Sequence, residues 1–108
     1  MSANIREKLE AEKIVKDEPA MWVDSASVMQ NGRLILTSKH LVFMLNDAQN
    51  AAITIDLDTI NAISNETVLV DSNIMSVTYL QYDNVKFSVL NYEDWEKAIE
   101  GQRIQPHI

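Results

Sequence analysis

The chain has no cysteine, and in 108 residues only two glycines, two prolines and two histidines. Without thiols there is no disulfide framework, no sulfur nucleophile and no thiolate-held zinc or iron–sulfur centre, and the composition fits a cytoplasmic protein. With Gly32 and Gly101 as the only glycines, a glycine-rich phosphate-cradling loop cannot be assembled. His40 and His107 lie far apart, no Gly-x-Ser-x-Gly elbow accompanies the serines, and both histidines read as solvated surface residues. Asp56-x-Asp58 lacks the glycine and distal glutamate of a calcium loop. These gaps leave no catalytic set, no metal site and no cofactor cradle, and the expectation is a non-enzymatic protein.

Long hydrophobic runs are missing as well. No stretch approaches the roughly 18 apolar residues of a membrane span. Met1 to Lys16 mixes acids, bases and apolar residues too evenly for a secretory leader, so the chain is expected to be soluble and not exported. Positive charge is scarce: nine Lys and Arg against sixteen Asp and Glu leave a net charge of -7. Between His40 and Lys86 there is no Lys or Arg, while Asp47, Asp56, Asp58, Glu66, Asp71 and Asp83 all fall there. Affinity for nucleic acid comes largely from clustered cations, so nucleic acid is excluded as the expected partner.

What the chain does have is alternation. With 46% hydrophobic residues and the length of one ordinary domain, it can bury a single core. Ser2 can cap a helix over about Ala3 to Asp17, with Ile5, Leu9, Ala11, Ile14 and Val15 as an imperfect apolar stripe and Pro19 as its stop. The period then changes to two. Met21 to Met29 reads as a first strand, Gln30-Asn31-Gly32 as a tight turn, and Leu34 and Leu36 share one face of the next strand. Ser38-Lys39 turns, and Leu41, Phe43 and Leu45 alternate again. Ile53, Ile55 and Leu57 mark a fourth strand and Ile60 to Asn65 a fifth, with Val68-Leu69-Val70 either extending it past a bulge or starting a separate piece, before a turn at Asp71-Ser72-Asn73. Met75, Val77 and Tyr79 form a sixth strand, Gln81 to Asn84 a turn, and Val85, Phe87 and Val89 a seventh. Asn91 caps a second helix over about Tyr92 to Glu100, whose Tyr92, Trp95, Ala98 and Ile99 share a face, with Gly101 as its stop.

A seven-strand meander closed by a helix with an inward tryptophan is a restricted architecture, since a strongly bent antiparallel sheet leaves one open end to plug. That order, together with Gly32-Arg33-Leu34-Ile35-Leu36-Thr37-Ser38-Lys39-His40-Leu41-Val42-Phe43, resembles the GRAM domain of the pleckstrin-homology-like superfold. Tyr92 to Ile99 is similar to the final helix of that family. The resemblance implies a mainly β fold with α, a seven-stranded antiparallel partly open barrel capped by a C-terminal helix. Residues 1–19 then form a helical extension, 20–101 the domain and 102–108 a loose tail.

The resemblance also implies where a ligand would sit. Pleckstrin-homology-type domains that bind phosphoinositides use basic residues around a long loop between the first two strands, at the open end of the barrel. Here that loop is expected to be short, and Arg33 and Lys86 are the basic residues placed at that end. At about 1 kcal/mol per cation near an anionic leaflet they supply roughly 2 kcal/mol, much of it offset by Asp47 and Asp83. Anionic membrane is therefore the disfavoured partner. Protein interaction or self-association is favoured. Related phosphotyrosine-binding-like domains add a peptide strand between strand five and the final helix, which corresponds here to Ile60 to Glu66. Self-association through the N-terminal helix, or through Ile35, Val42 and Met44 on the outward strand faces, stays open beside the packing of those residues under that helix.

Overall fold

A computed structural model describes residues 13–25, 28–46, 51–68 and 71–103. Seven strands, β1 (Ile14–Ser25), β2 (Val28–Thr37), β3 (His40–Leu45), β4 (Ile53–Asp56), β5 (Ile60–Val68), β6 (Asp71–Tyr79) and β7 (Asp83–Ser88), precede one helix, α1 (Tyr92–Arg103). A 3-10 turn, Leu57–Thr59, joins β4 to β5. All pairings are antiparallel, in one sheet ordered β4-β3-β2-β1-β7-β6-β5. The architecture is the expected one: a mainly β chain of seven strands followed by a single C-terminal helix.

Alternation places the core. Leu34 and Leu36 of β2, Leu41 and Phe43 of β3, Met75 and Val77 of β6, and Val85 and Phe87 of β7 point to one side, where they bury Trp95 and Ile99 of α1. Phe43 sits at the centre, stacked on Phe87 at 5.4 Å and edge-on to Trp22 at 6.3 Å, both geometries that aromatic pairs favour. Trp95 is fully buried and acts as the plug. Its Nε1–H donates to Glu18 Oε1 at 3.0 Å, and Lys16, itself 2.9 Å from Glu18, lies 5.2 Å over the indole ring. The one polar atom of the plug is therefore satisfied at the rim of the core.

Several local expectations are corrected. The helix expected over residues 3–17 lies outside the described residues up to residue 12, and its last turn does not form: Ile14–Asp17 opens β1. Pro19 stops nothing. It sits within β1, opposite Arg33, where β7 has not yet joined; β7 pairs with β1 at Met21 and Trp22, so the strand has a neighbour on one side only at residue 19. Gln30-Asn31-Gly32 is not a turn but continuous strand, paired with Trp22, Met21 and Ala20, and no glycine has a positive φ. Gly32 serves close approach instead: an added Cβ would lie 2.6 Å from Phe43 Cζ and closer still to the Met44 carbonyl oxygen. The β1–β2 ladder continues as far as the Ser25–Val28 pair.

Farther along, Leu57 belongs to the 3-10 turn rather than to β4. Asp71-Ser72-Asn73 is the start of β6, because the β5–β6 register closes at Val68 and Asp71. The helix runs past Gly101 to Arg103, which is held by Glu100 and by the Ile60 carbonyl, so the expected tail loses its first two residues to α1. Val89 lies just beyond β7, yet packs in the core as expected. The Thr37-Ser38-Lys39-His40 turn stands as expected, with Thr37 Oγ1 accepting from the backbone N–H groups of Lys39 and His40 at 3.1 and 2.9 Å.

Candidate docking surface

Two edges bound the sheet, and they differ. β4 is four residues long, whereas β5 is nine, and among the described residues β5 pairs only with β6. Such a strand presents backbone N–H and C=O groups to whatever lies on its far side. The α1 helix packs against β6 and the 3-10 turn, and its two ends are tied near the two ends of β5. Asn91 caps it, its Oδ1 accepting from Asp94 N–H at 3.1 Å, and Asn73 Oδ1 accepts from Tyr92 N–H at 3.1 Å, fixing the helix N-terminus near the far end of β5. At the other end Arg103 Nη2 donates to the Ile60 carbonyl at 2.8 Å, where β5 begins. The helix thus traverses β5 in the opposite direction.

The chemistry of that border is acidic. Tyr92, Glu96 and Glu100 recur every four residues and so share one stripe of α1. Tyr92 OH donates to Glu96 Oε2 at 2.7 Å, and Arg103 Nη1 donates to Glu100 Oε1 at 2.6 Å. Burial pushes the Tyr92 hydroxyl up to about 12, with the bond to Glu96 and the negative charges of Glu96 and Glu100 adding to the shift. Near the start of β5, the β6–β7 turn takes positive φ at Leu80 and Gln81 and exposes Leu80 and Tyr82, 58% and 90% accessible. It is tied down by Leu80 N–H to the Thr59 carbonyl and by Gln81 N–H to Asn61 Oδ1, at 2.9 and 2.6 Å.

The residues expected at the open end do not converge. Lys86 lines a concavity of about 290 Å³ with Trp22, Ile53 and Tyr79, and its Nζ is 3.6 Å from Glu66. Arg33 lines a separate one of about 320 Å³ with Pro19, Met21 and Ser88, and its Nε donates to Asp17 at 2.8 Å. Each cation already has a carboxylate. His40 Nε2 lies 2.8 Å from Asp56 Oδ1, and His107 is outside the described residues. Among the described residues no three His, Cys, Asp or Glu side chains gather as metal ligands, and no helix is long and apolar enough to cross a membrane. Ile35 and Val42 are completely buried, packed with Ile14, Met44 and Ala51, and offer no surface for self-association. The acidic stripe of α1 was not anticipated, although its spacing of four was legible; the turn expected at Gln81 to Asn84 falls slightly earlier, at residues 80–82, with Asp83 and Asn84 already in β7.

No protein-family model matches the chain, and no curated protein matches it. Solved structures do. The C-terminal domain of an unknown protein from Leishmania infantum is similar at a TM-score of 0.75 and 22% identity, covering 92% of this chain and 91% of that one. The C-terminal PH domain of pleckstrin is similar at 0.68 and 13%, covering 83% and 97%. The DH/PH domain of human ARHGEF11, in its ternary complex with human RhoA and an inhibitor, is similar at 0.69 and 13%; the match covers 86% of this chain but spans only 29% of that one. At such identities the likeness is one of fold, and the fold is pleckstrin-homology-like.

Proposed function

We propose that the chain is a non-enzymatic, cytoplasmic binding module of GRAM type whose partner is a protein, held as an added strand along β5. The observation that carries this reading is the nine-residue edge of β5, bordered by α1 and by the exposed Leu80–Tyr82 turn. Strand addition draws affinity from main-chain hydrogen bonds and specificity from alternate side chains. A PH-like structure captured with a protein, the ARHGEF11 DH/PH domain with RhoA, supports a protein partner for this fold. The GRAM reading rests on the hairpin of residues 32–43.

The test is selection of decapeptides from a random library against the full chain, followed by amide chemical-shift mapping with a selected peptide. Shifts concentrated on residues 61–67 are expected. Selected peptides that leave those amides unmoved would overturn the reading.

A second reading takes Arg33 and Lys86 as contacts for anionic lipid, favoured by the position of Lys86 on the concavity beside Trp22. Sedimentation with anionic vesicles at low and physiological salt decides it. Salt-sensitive binding lost in Arg33→Glu/Lys86→Glu would establish membrane binding, and equal pelleting of parent and variant would exclude that pair.

A further inference from the structure

We infer that the segment added to β5 is basic: an extended stretch of a partner protein with Lys or Arg at alternate positions facing α1. This rests on the strand-docking reading above and goes on to specify the partner's chemistry.

Geometry sets which side chains of an added strand meet the helix. In β5, Ile63 and Asn65 share the face of their partners Val77 and Met75, which is the core side, while Ala62 and Ser64 lie opposite with Thr78 and Ser76. A strand hydrogen-bonded to β5 continues both faces. Its own core-side residues, spaced by two, therefore project toward α1, which lies over that side. Two residues of strand advance about 6.6–6.8 Å. Four residues of helix advance about 6 Å. Glu96 and Glu100 on α1 thus repeat at nearly the interval of successive core-side positions on the incoming strand.

Charge then sets what those positions carry. Glu96 uses Oε2 to accept from Tyr92, and Glu100 uses Oε1 to accept from Arg103. A carboxylate oxygen accepts more than one bond, and each group keeps a second oxygen. Arg103, the cation at this border, is committed to Glu100 and to the Ile60 carbonyl. Lys97 stands one residue beyond Glu96, about a quarter turn away on the helix, and Asp58 adds a further carboxylate beside Glu100 and Arg103. On the opposite face Ala62 and Ser64 are small and uncharged, while Lys86 lies against Glu66. The net demand of the groove is for positive charge on its α1 side.

The experiment uses the full chain and compares the parent with Glu96→Gln/Glu100→Gln and with Glu96→Lys/Glu100→Lys, each checked for folding by circular dichroism. Decapeptides selected on the parent should carry Lys or Arg at positions i and i+2 and shift the amides of residues 61–67. Their affinity should fall at least tenfold in the Gln pair, and selection on the Lys pair should turn to acidic peptides. If the Lys pair does not fold, the Gln pair alone decides. Neutral or acidic peptides that still shift residues 61–67 would overturn the charge inference and leave strand docking in place. Basic peptides that shift residues around Trp22 and Lys86 instead would overturn strand docking itself. An empty selection, or a peptide-free dimer by light scattering with residues 61–67 already protected from exchange, would overturn both.

Discussion

Replacing Trp95 by Ala should be the most damaging single change in the domain. Trp95 heads the fully buried side chains by size, and truncating such a residue costs about 3–5 kcal/mol in lost transfer energy and residual cavity. Two further losses follow from its surroundings. The Nε1–H bond to Glu18 is worth about 1 kcal/mol, and Glu18 keeps Lys16 and access to water, so no buried charge is stranded. The Lys16 contact with the ring adds about 0.5–1 kcal/mol. The total, about 4.5–7 kcal/mol, is a large share of the 5–15 kcal/mol typical of a domain. It corresponds to a melting midpoint lower by about 20 °C or more. Urea titration followed by far-ultraviolet circular dichroism measures it, with the slope m expected to stay constant. Trp95→Phe keeps most of the ring and loses the N–H, and should cost only about 1–2 kcal/mol. A Trp95→Ala protein within 1 kcal/mol of the parent would refute the plug. Equal losses in both variants would assign the energy to the Glu18 bond rather than to burial.

Gly32→Ala should destabilise by about 1–3 kcal/mol or more, since the new methyl meets the Met44 backbone carbonyl as well as the Phe43 ring, and backbone yields less than a side chain; thermal unfolding reads this directly. The Tyr92 hydroxyl, raised from 10 to about 12 in the folded chain, holds its proton more tightly than in the unfolded one. Its contribution is therefore complete below pH 10 and is lost as pH rises through 12, and denaturation midpoints should fall across that window in the parent but less in Tyr92→Phe. Asn91→Ala removes the helix cap that bonds Asp94 N–H and should cost about 1 kcal/mol, visible as a lower urea midpoint at unchanged m.

The core was legible because alternation is a local property. Leu34, Leu36, Leu41, Phe43, Met75, Val77, Val85 and Phe87 all point inward where period-two patterning puts them, and Asn91, Tyr92 and Trp95 cap and bury α1 as spacing implied. The misreadings share one cause. Asn31-Gly32 and Pro19 are local turn and stop signals, yet each was overruled by pairing with a distant segment: Gly32 by Ala20 on one side and Leu45 on the other, Pro19 by Arg33. Propensity is a weak prior against a full ladder of interstrand bonds.

The candidate surface was legible only in part. A polar edge at Ile60 to Glu66 could be anticipated, but its acidic border could not, because Glu96 and Glu100 acquire meaning only when Asn73 and Arg103 anchor α1 along β5. In the same way Arg33 and Lys86 look alike as two isolated cations in an acidic chain, and pairing separates them, one to Asp17 and one to Glu66. The order of residues alone thus determined the strand count, the inward faces and the plugging tryptophan, all set by interactions within a few residues of one another. Strand boundaries, the partners of Arg33 and Lys86 and the position of the helix beside β5 were decided by tertiary structure, because each depends on contacts between segments far apart in the chain.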